Sequence, residues 1–379
     1  MESENISAQT PARITFSKAD PAGFAQEVRR DVNEYFSSRG LSPNANIAMV
    51  LKSVTLLSLM VVPYLLVLTT HFSTIELVGL AFVMGVGVAG VGFSVSHDAL
   101  HGAYSSRPWL NTLIGCTFEL VGANGYMWKI THNVIHHTYT NIQGMDEDLE
   151  VSPLLRLSPN SELHWFHRYQ HFYAFATYSL STLFWVFIKD YKYFMQRDIG
   201  PYRGRSHPPG AVAGLVIGKA LYYGLAFALP LAIAPISWLQ LLVGFLIVHL
   251  TAGLILGVVF QLAHVVEGTA HPIPANSGAV GNEWTVHEMD TTADFGRRSA
   301  LLTWYVGGLN HQIEHHLFPK VCSVHYPRIS ALVQAAAARH GLAYHDHPTL
   351  WGAIHSHYLT LRSFGRDALD ARKMEARAA

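Results

Sequence analysis

Residues 75–101 read IELVGLAFVMGVGVAGVGFSVSHDALH. No charge falls between Glu76 and Asp98, so the run can cross a bilayer, which takes about 20 residues. It closes on His97 and His101. Residues four apart share one face of a helix, so both imidazoles can turn towards one point. A membrane span capped by a polar pair is therefore the element to build from.

Three other segments have the same character, at about 47–70, 211–234 and 238–262; the opening one covers about 75–96 of its run before the histidines. The connections near 71–74 and 235–237 are short, which pairs the four spans into two helical hairpins. The expected fold is an all-α integral membrane protein. Composition agrees: half the chain is hydrophobic and 14% is charged, against about 25% in soluble chains. With 26 basic and 26 acidic residues, the chain lacks the basic excess of a nucleic-acid binder. Cys116 and Cys322 form no CxxC pair and no disulfide framework.

The hairpin loops carry no Lys or Arg, whereas 102–210 carries Arg107, Lys129, Arg156, Arg168, Lys189, Lys192, Arg203 and Arg205. The positive-inside rule then puts both termini and this central segment in the cytosol. Lys219, early in the third span, is expected to snorkel to that side. Residues 1–46 do not resemble a signal peptide, and 18–40 reads as an interfacial or cytosolic helix. Residues 109–128 and 172–188 are short apolar stretches, read as interfacial, the second also as re-entrant. From about 330 the tail reads as a surface helix and a polar end.

The chain has 23 histidines, and three clusters have helical spacing. HDALH (97–101) offers His97 and His101; HNVIHH (132–137) offers His132, His136 and His137; QIEHH (312–316) offers Gln312, His315 and His316. His137 lies about 100° round a helix from His136 and can reach a second metal. His264 stands where the fourth span should emerge into the cytosol. A single such pair is commonly a surface feature, but no packing role calls for this repetition on one membrane side. Eight histidines plus Gln312 exceed one metal's needs and suit two. No thiolates are placed for structural zinc, and catalytic zinc needs only three protein ligands; two irons handling O2 fit the number. His249 lies mid-span, about 22 Å from His264 along a helix, and is expected to pack inside the bundle.

The three boxes resemble those of the membrane fatty acid desaturases. Gln312 in place of a histidine is similar to the front-end type, the acyl-CoA or linoleoyl-CoA desaturases. Thr140-Asn141, Trp284-Thr285-Val286-His287, Thr291-Thr292 and the run from Gly307-Gly308-Leu309-Asn310 to His315-His316-Leu317-Phe318-Pro319 add to the likeness, which spans about 16–327. The resemblance implies four spans under a cytosolic helical cap holding two irons, Fe2+ or Fe3+ through the cycle. The implied ligands are His97, His101, His132, His136, His137, His264, His315 and His316, with Gln312 a weaker ligand or a neighbour of one. His311 ranks below Gln312 because it points elsewhere.

It further implies an O2-dependent enzyme that removes hydrogen from neighbouring CH2 groups of an acyl chain carried on CoA, carrier protein or lipid. Carboxylates should orient such imidazoles; the candidates are Asp98, Asp146, Asp148, Asp290 and Glu314. Tyr126 and Trp128 are candidates for the acyl slot. The family's cytochrome b5 signature, His-Pro-Gly-Gly, is lacking, so electrons are expected from a separate protein such as ferredoxin or cytochrome b5 with its reductase. The implied division is 1–46, a desaturase domain 47–327 and a cytosolic tail 328–379, in what looks like a bacterial inner-membrane protein. An alkyl or fatty acid hydroxylase on the same scaffold is an alternative that the boxes do not separate. A metal transporter is a remoter one, since its ligands would lie near mid-membrane.

Overall fold

A computed structural model describes residues 14–378 except 19, 21, 22, 150 and 151. Helix dominates, and four helices are long and apolar enough to span a membrane: Ile47–Thr69, Thr74–Leu100, Pro209–Ile233 and Trp238–His264. Three of them begin on capping side chains. Asn46, Ser73 and Ser237 accept from the backbone of the first turn, and the last two complete capping boxes with Glu76 and Gln240. The remaining span opens on Pro209, whose missing N–H costs nothing at a helix start. Gln240 also donates to Thr74 Oγ1 at 3.4 Å, joining the starts of the second and fourth spans.

The second span is the hub, packed against both the first and the fourth. Small residues allow the approach. A Cβ added at Gly87 would lie 2.6 Å from the Met60 backbone nitrogen. Outward faces carry Leu51, Val54, Val62, Leu65, Val216, Ile217 and Leu231, all exposed. Their helices need a hydrocarbon solvent, so this is a membrane protein.

Residues 172–188 do not form a continuous crossing. Helix Gln170–Ser179 breaks at Leu180 and resumes at Ser181. The segment runs down the fourth span, where an added Cβ on Gly257 would meet the Tyr178 Cβ at 2.7 Å. At its lower end Thr182 donates to the His249 carbonyl at 2.8 Å. That residue lies about 22 Å from His264 along the helix, so the segment is re-entrant. His249 is buried as expected, with its ring between Tyr222 and Thr182. Lys219 does not snorkel. It is 6% exposed, pairs with Asp190 at 2.7 Å and donates to the carbonyls of Gly122 and Val186. The re-entrant segment supplies Val186, the residues just after it Asp190 and the 109–128 stretch Gly122, so the ammonium need not reach water.

A helical layer covers the end of the spans where the histidines sit. Helix Phe24–Ser38 packs Phe24 and Val28 against Val333, Ala336 and Ala337 of helix Tyr326–Arg339. The latter is therefore docked rather than a free surface helix. The tail continues into helix Leu350–Arg362, whose buried His357 donates to the Val265 carbonyl at 2.7 Å and accepts from the Tyr178 hydroxyl at 2.8 Å. The polar end expected of the tail thus holds a packed helix. Two short parallel pairs complete the layer: 15–16 with 279–280, and 294–295 with 346–347.

Candidate metal centre

Each histidine cluster is aimed by the way its helix winds. The second span changes to π-helical winding over Val91–Ser96 and delivers His97 and His101 from its last turn. The second cluster lies on another π-helical stretch, Lys129–His136. Such stretches repeat through i→i+5 bonds. This aligns His137 with His132, their Nε2 atoms being 3.3 Å apart, in place of the sideways offset expected from an α-helix. His264 ends the fourth span, and His315 and His316 lie on the short helix Gln312–Leu317.

All eight histidines converge, and each is 9% exposed or less. His97, His101, His132 and His315 form one group, and His136, His264 and His316 another. Within each group the facing nitrogens lie within 4.8 Å of one another. His137 makes a similar set with His315 and His316, and so stands between the two. Gln312 is buried at the start of the same short helix, 2% exposed.

Four rings share one pattern: Nδ1 is engaged outward and Nε2 is left open inward. His136 Nδ1 meets both carboxylate oxygens of Asp146 at 3.1 Å, and His316 Nδ1 meets Glu288 Oε2 at 2.7 Å. His315 Nδ1 lies 3.2 Å from the Tyr326 hydroxyl, and His264 Nδ1 donates to the Thr291 carbonyl at 3.3 Å. The Nε2 atoms of these four, and of His97 and His101, are buried without a hydrogen-bond partner. An unpaired buried polar atom costs about 1–3 kcal/mol. Six aimed into one space fit metal coordination, and the outward partners are those that orient metal-binding imidazoles.

Electrostatics keeps five of these rings in the neutral form that a ligand needs. Burial, reinforced by neighbouring histidines, pushes His101, His137, His315 and His316 well below the usual imidazole range. Burial also takes His132 down to about 3. His136 goes the other way: burial opposes its charge, but Asp146 raises it to about 9. Burial would raise Asp148, yet the Lys189 ammonium and His132 hold it well below the carboxylate range.

The remaining expected residues divide by helix face. Asp146 touches the cluster; Asp148 stands 3.7 Å from His132 Nδ1 and 3.8 Å from His136 Nδ1. Asp98 puts Oδ1 3.7 Å from His97 Nδ1, while its Oδ2 accepts from Cys322 Sγ and from the Ser323 backbone and hydroxyl, anchoring that loop. Asp290 accepts from Asn282, away from the histidines. Glu288, two residues earlier and so about 200° round the helix, is the carboxylate that reaches His316. Sequence reading passed over it although it adjoins Trp284-Thr285-Val286-His287.

Glu314 likewise turns away from Gln312 and His316. It shares the Tyr344 hydroxyl with Asp294, at 2.9 and 2.7 Å. Burial pushes Glu314 up to about 7 and Asp294 well above its range. His311 lies on this side, 3.7 Å from Glu314, and not among the clustered rings. Trp128 stacks on His132 with centroids 4.4 Å apart, whereas Tyr126, on the opposite face, contacts His207 and Phe194.

A cavity of about 310 Å³ opens beside this cluster. Its walls include His97, Trp128, His132 and Lys189 near the cluster, and Phe93, Val88 and Val121 deeper in. Val88 and Val121 also line a second apolar cavity of about 350 Å³ between the spans. A nitrogen cage that could hold metal, beside an apolar slot at the end of membrane helices, fits a membrane enzyme acting on hydrocarbon.

The sequence profile of the family described as "Fatty acid desaturase" matches residues 73–348, and the chain belongs to that family. It is 36% identical to an "sn-1 linoleoyl-lipid 6-desaturase" of Arthrospira platensis over 93% of this chain and 95% of that protein. A protein of the same description from Synechocystis sp. is 34% identical over 94% and 99% of the two chains. An "Acyl-lipid (8-3)-desaturase" of Physcomitrium patens is 33% identical over 93% and 74%. The chain is accordingly an oxidoreductase of the desaturase type.

Proposed function

We propose that this protein is an O2-dependent acyl-lipid desaturase whose two irons are held by His97, His101, His132, His136, His137, His264, His315 and His316, with Gln312 beside them. The carrying observation is the set of buried, inward-facing, unpartnered imidazole nitrogens beside an apolar slot. Iron held there would supply the O2 chemistry: with O2, two electrons and two protons, two hydrogens would leave adjacent CH2 groups as the double bond forms and two waters are released. Asp146 and Glu288 hold the Nδ1 protons of His136 and His316, leaving the Nε2 lone pairs facing inward. Trp128 and Phe93 shield the slot from water. Val88 and Val121 form the neck through which the methyl end of a long chain passes. The relatives' names favour a chain esterified in a lipid and a new double bond near its carboxyl end.

Substituting His136 or His315 by Ala should remove iron and abolish desaturation in purified protein; full iron with normal turnover would overturn the assignment. Product mass separates this reading from hydroxylation, since desaturation loses two hydrogens and hydroxylation gains an oxygen. The reading also sets two hairpins in a bacterial inner membrane, with both termini and the histidine cap cytosolic and an external carrier such as ferredoxin supplying electrons. Cysteines placed at His71 and Ser237 should then react with an impermeant thiol reagent from the outer side only. Labelling of either from the cytosolic side would reject that topology.

A further inference from the structure

Among the described residues, Lys189 is the only lysine or arginine lining the cavity beside the histidines. Its Nζ pairs with Asp148 Oδ1 at 3.2 Å and lies 4.8 Å from the centre of the Trp185 ring, which also lines the cavity. An ammonium has three donors, and Asp148 is its one hydrogen-bond acceptor among the described residues. Among the described residues the other two N–H groups have no acceptor, in an otherwise largely apolar chamber. Through Asp148 the ammonium stands two contacts from His132, of 3.2 and 3.7 Å. The chamber also reaches Phe93 and Val88 of the second span and Val121, apolar side chains with no hydrogen-bonding group.

We propose that Lys189 donates to the carbonyl oxygen at the carboxyl end of the acyl chain and so fixes the bond to be oxidised by its distance from that end. This rests on the desaturase reading above. A carbonyl is the one strong acceptor an acyl chain carries, and an ester, a thioester and a free acid all present it. Held at Lys189, the chain exposes carbons only a few bonds away to the histidine cage, and its methyl end runs towards Val88. Lys189 is then a positioning residue, distinct from the ligands, and Asp148 and Trp185 hold its ammonium in place.

The test compares wild type with Lys189→Met, which keeps the stem and loses the donor, and Lys189→Arg, which restores a cation. Iron per chain, KM, kcat and double-bond position are read on one acyl-lipid and on the acyl-CoA of the same chain. With iron unchanged, Lys189→Met should raise KM roughly ten- to a hundredfold, as loss of a hydrogen bond from a charged donor does, and should spread the double bond over neighbouring positions. Lys189→Arg should regain most of the affinity. The carrier showing the larger KM effect is the one whose carbonyl Lys189 holds. Unchanged KM and position, or iron loss with an unmoved double bond, would overturn the proposal by leaving Lys189 only its pairing with Asp148. Should the variants not fold, wild type still decides: an ester-linked lipid should outcompete its ether analogue, and equal inhibition would sink the idea. A wild type that desaturates no acyl substrate refutes the function itself instead.

Discussion

Two carboxylates carry the orienting role at the residue scale, and only one was visible beforehand. Asp146 stood among the candidates because it follows the second box closely. Glu288 comes from a helix with no histidine ligand, and only folding brings its Oε2 to 2.7 Å from His316 Nδ1. Replacing Glu288 by Gln keeps the shape and removes the charge. Loss of such an outer partner costs about 10–100-fold in metal affinity, so Glu288→Gln should bind iron that much more weakly in a chelator titration. Asp290→Asn, two residues on, should leave affinity unchanged. The spacing rule that found the boxes also accounts for the misplaced acids: Asp290 and Glu314 lie about 200° round their helices from Glu288 and Gln312.

At the scale of elements, the spans were legible because bilayer length and lack of charge leave few alternatives. The four helices fall within a few residues of their expected bounds, with the second continuing through its histidines to Leu100. The π-helical winding was not legible, since α- and π-turns are built from the same residue types. It changed which histidines align, bringing His137 to His132. The re-entrant segment was half legible: its length argued against a crossing, but its depth depends on small residues elsewhere, at Gly253 and Gly257. Leu at Gly257 would drive into the Tyr178 side chain, 2.7 Å from the added Cβ. Overpacking of this kind costs typically 1–3 kcal/mol. Gly257→Leu should therefore unfold at lower temperature in detergent and lose the acyl slot, whereas Gly214→Leu, with no atom within 4 Å, should not.

For the whole molecule, the tail proved to be structure rather than appendage. His357 ties it to the fourth span's exit at Val265 and to Tyr178. Burial takes His357, His271 and His287 each down to about 4. In the unfolded chain such groups titrate near 6.5, so between these values the unfolded state binds more protons. Their stabilisation is complete above about pH 6.5 and is lost as pH falls towards 4. The thermal midpoint should fall steadily from pH 7 to 5, and His357→Phe should lower it at pH 7 but give a shallower slope. An equally steep slope in the variant would discount this residue.

The rings that make up each metal group also have an order in time. His97 and His101 leave the ribosome long before His315 and His316, and neither group is complete without the latter pair. On the proposed function, iron would not be fully captured while the protein is still being made. Translation must run nearly to its end, and the emptied cage must survive long enough for a late delivery.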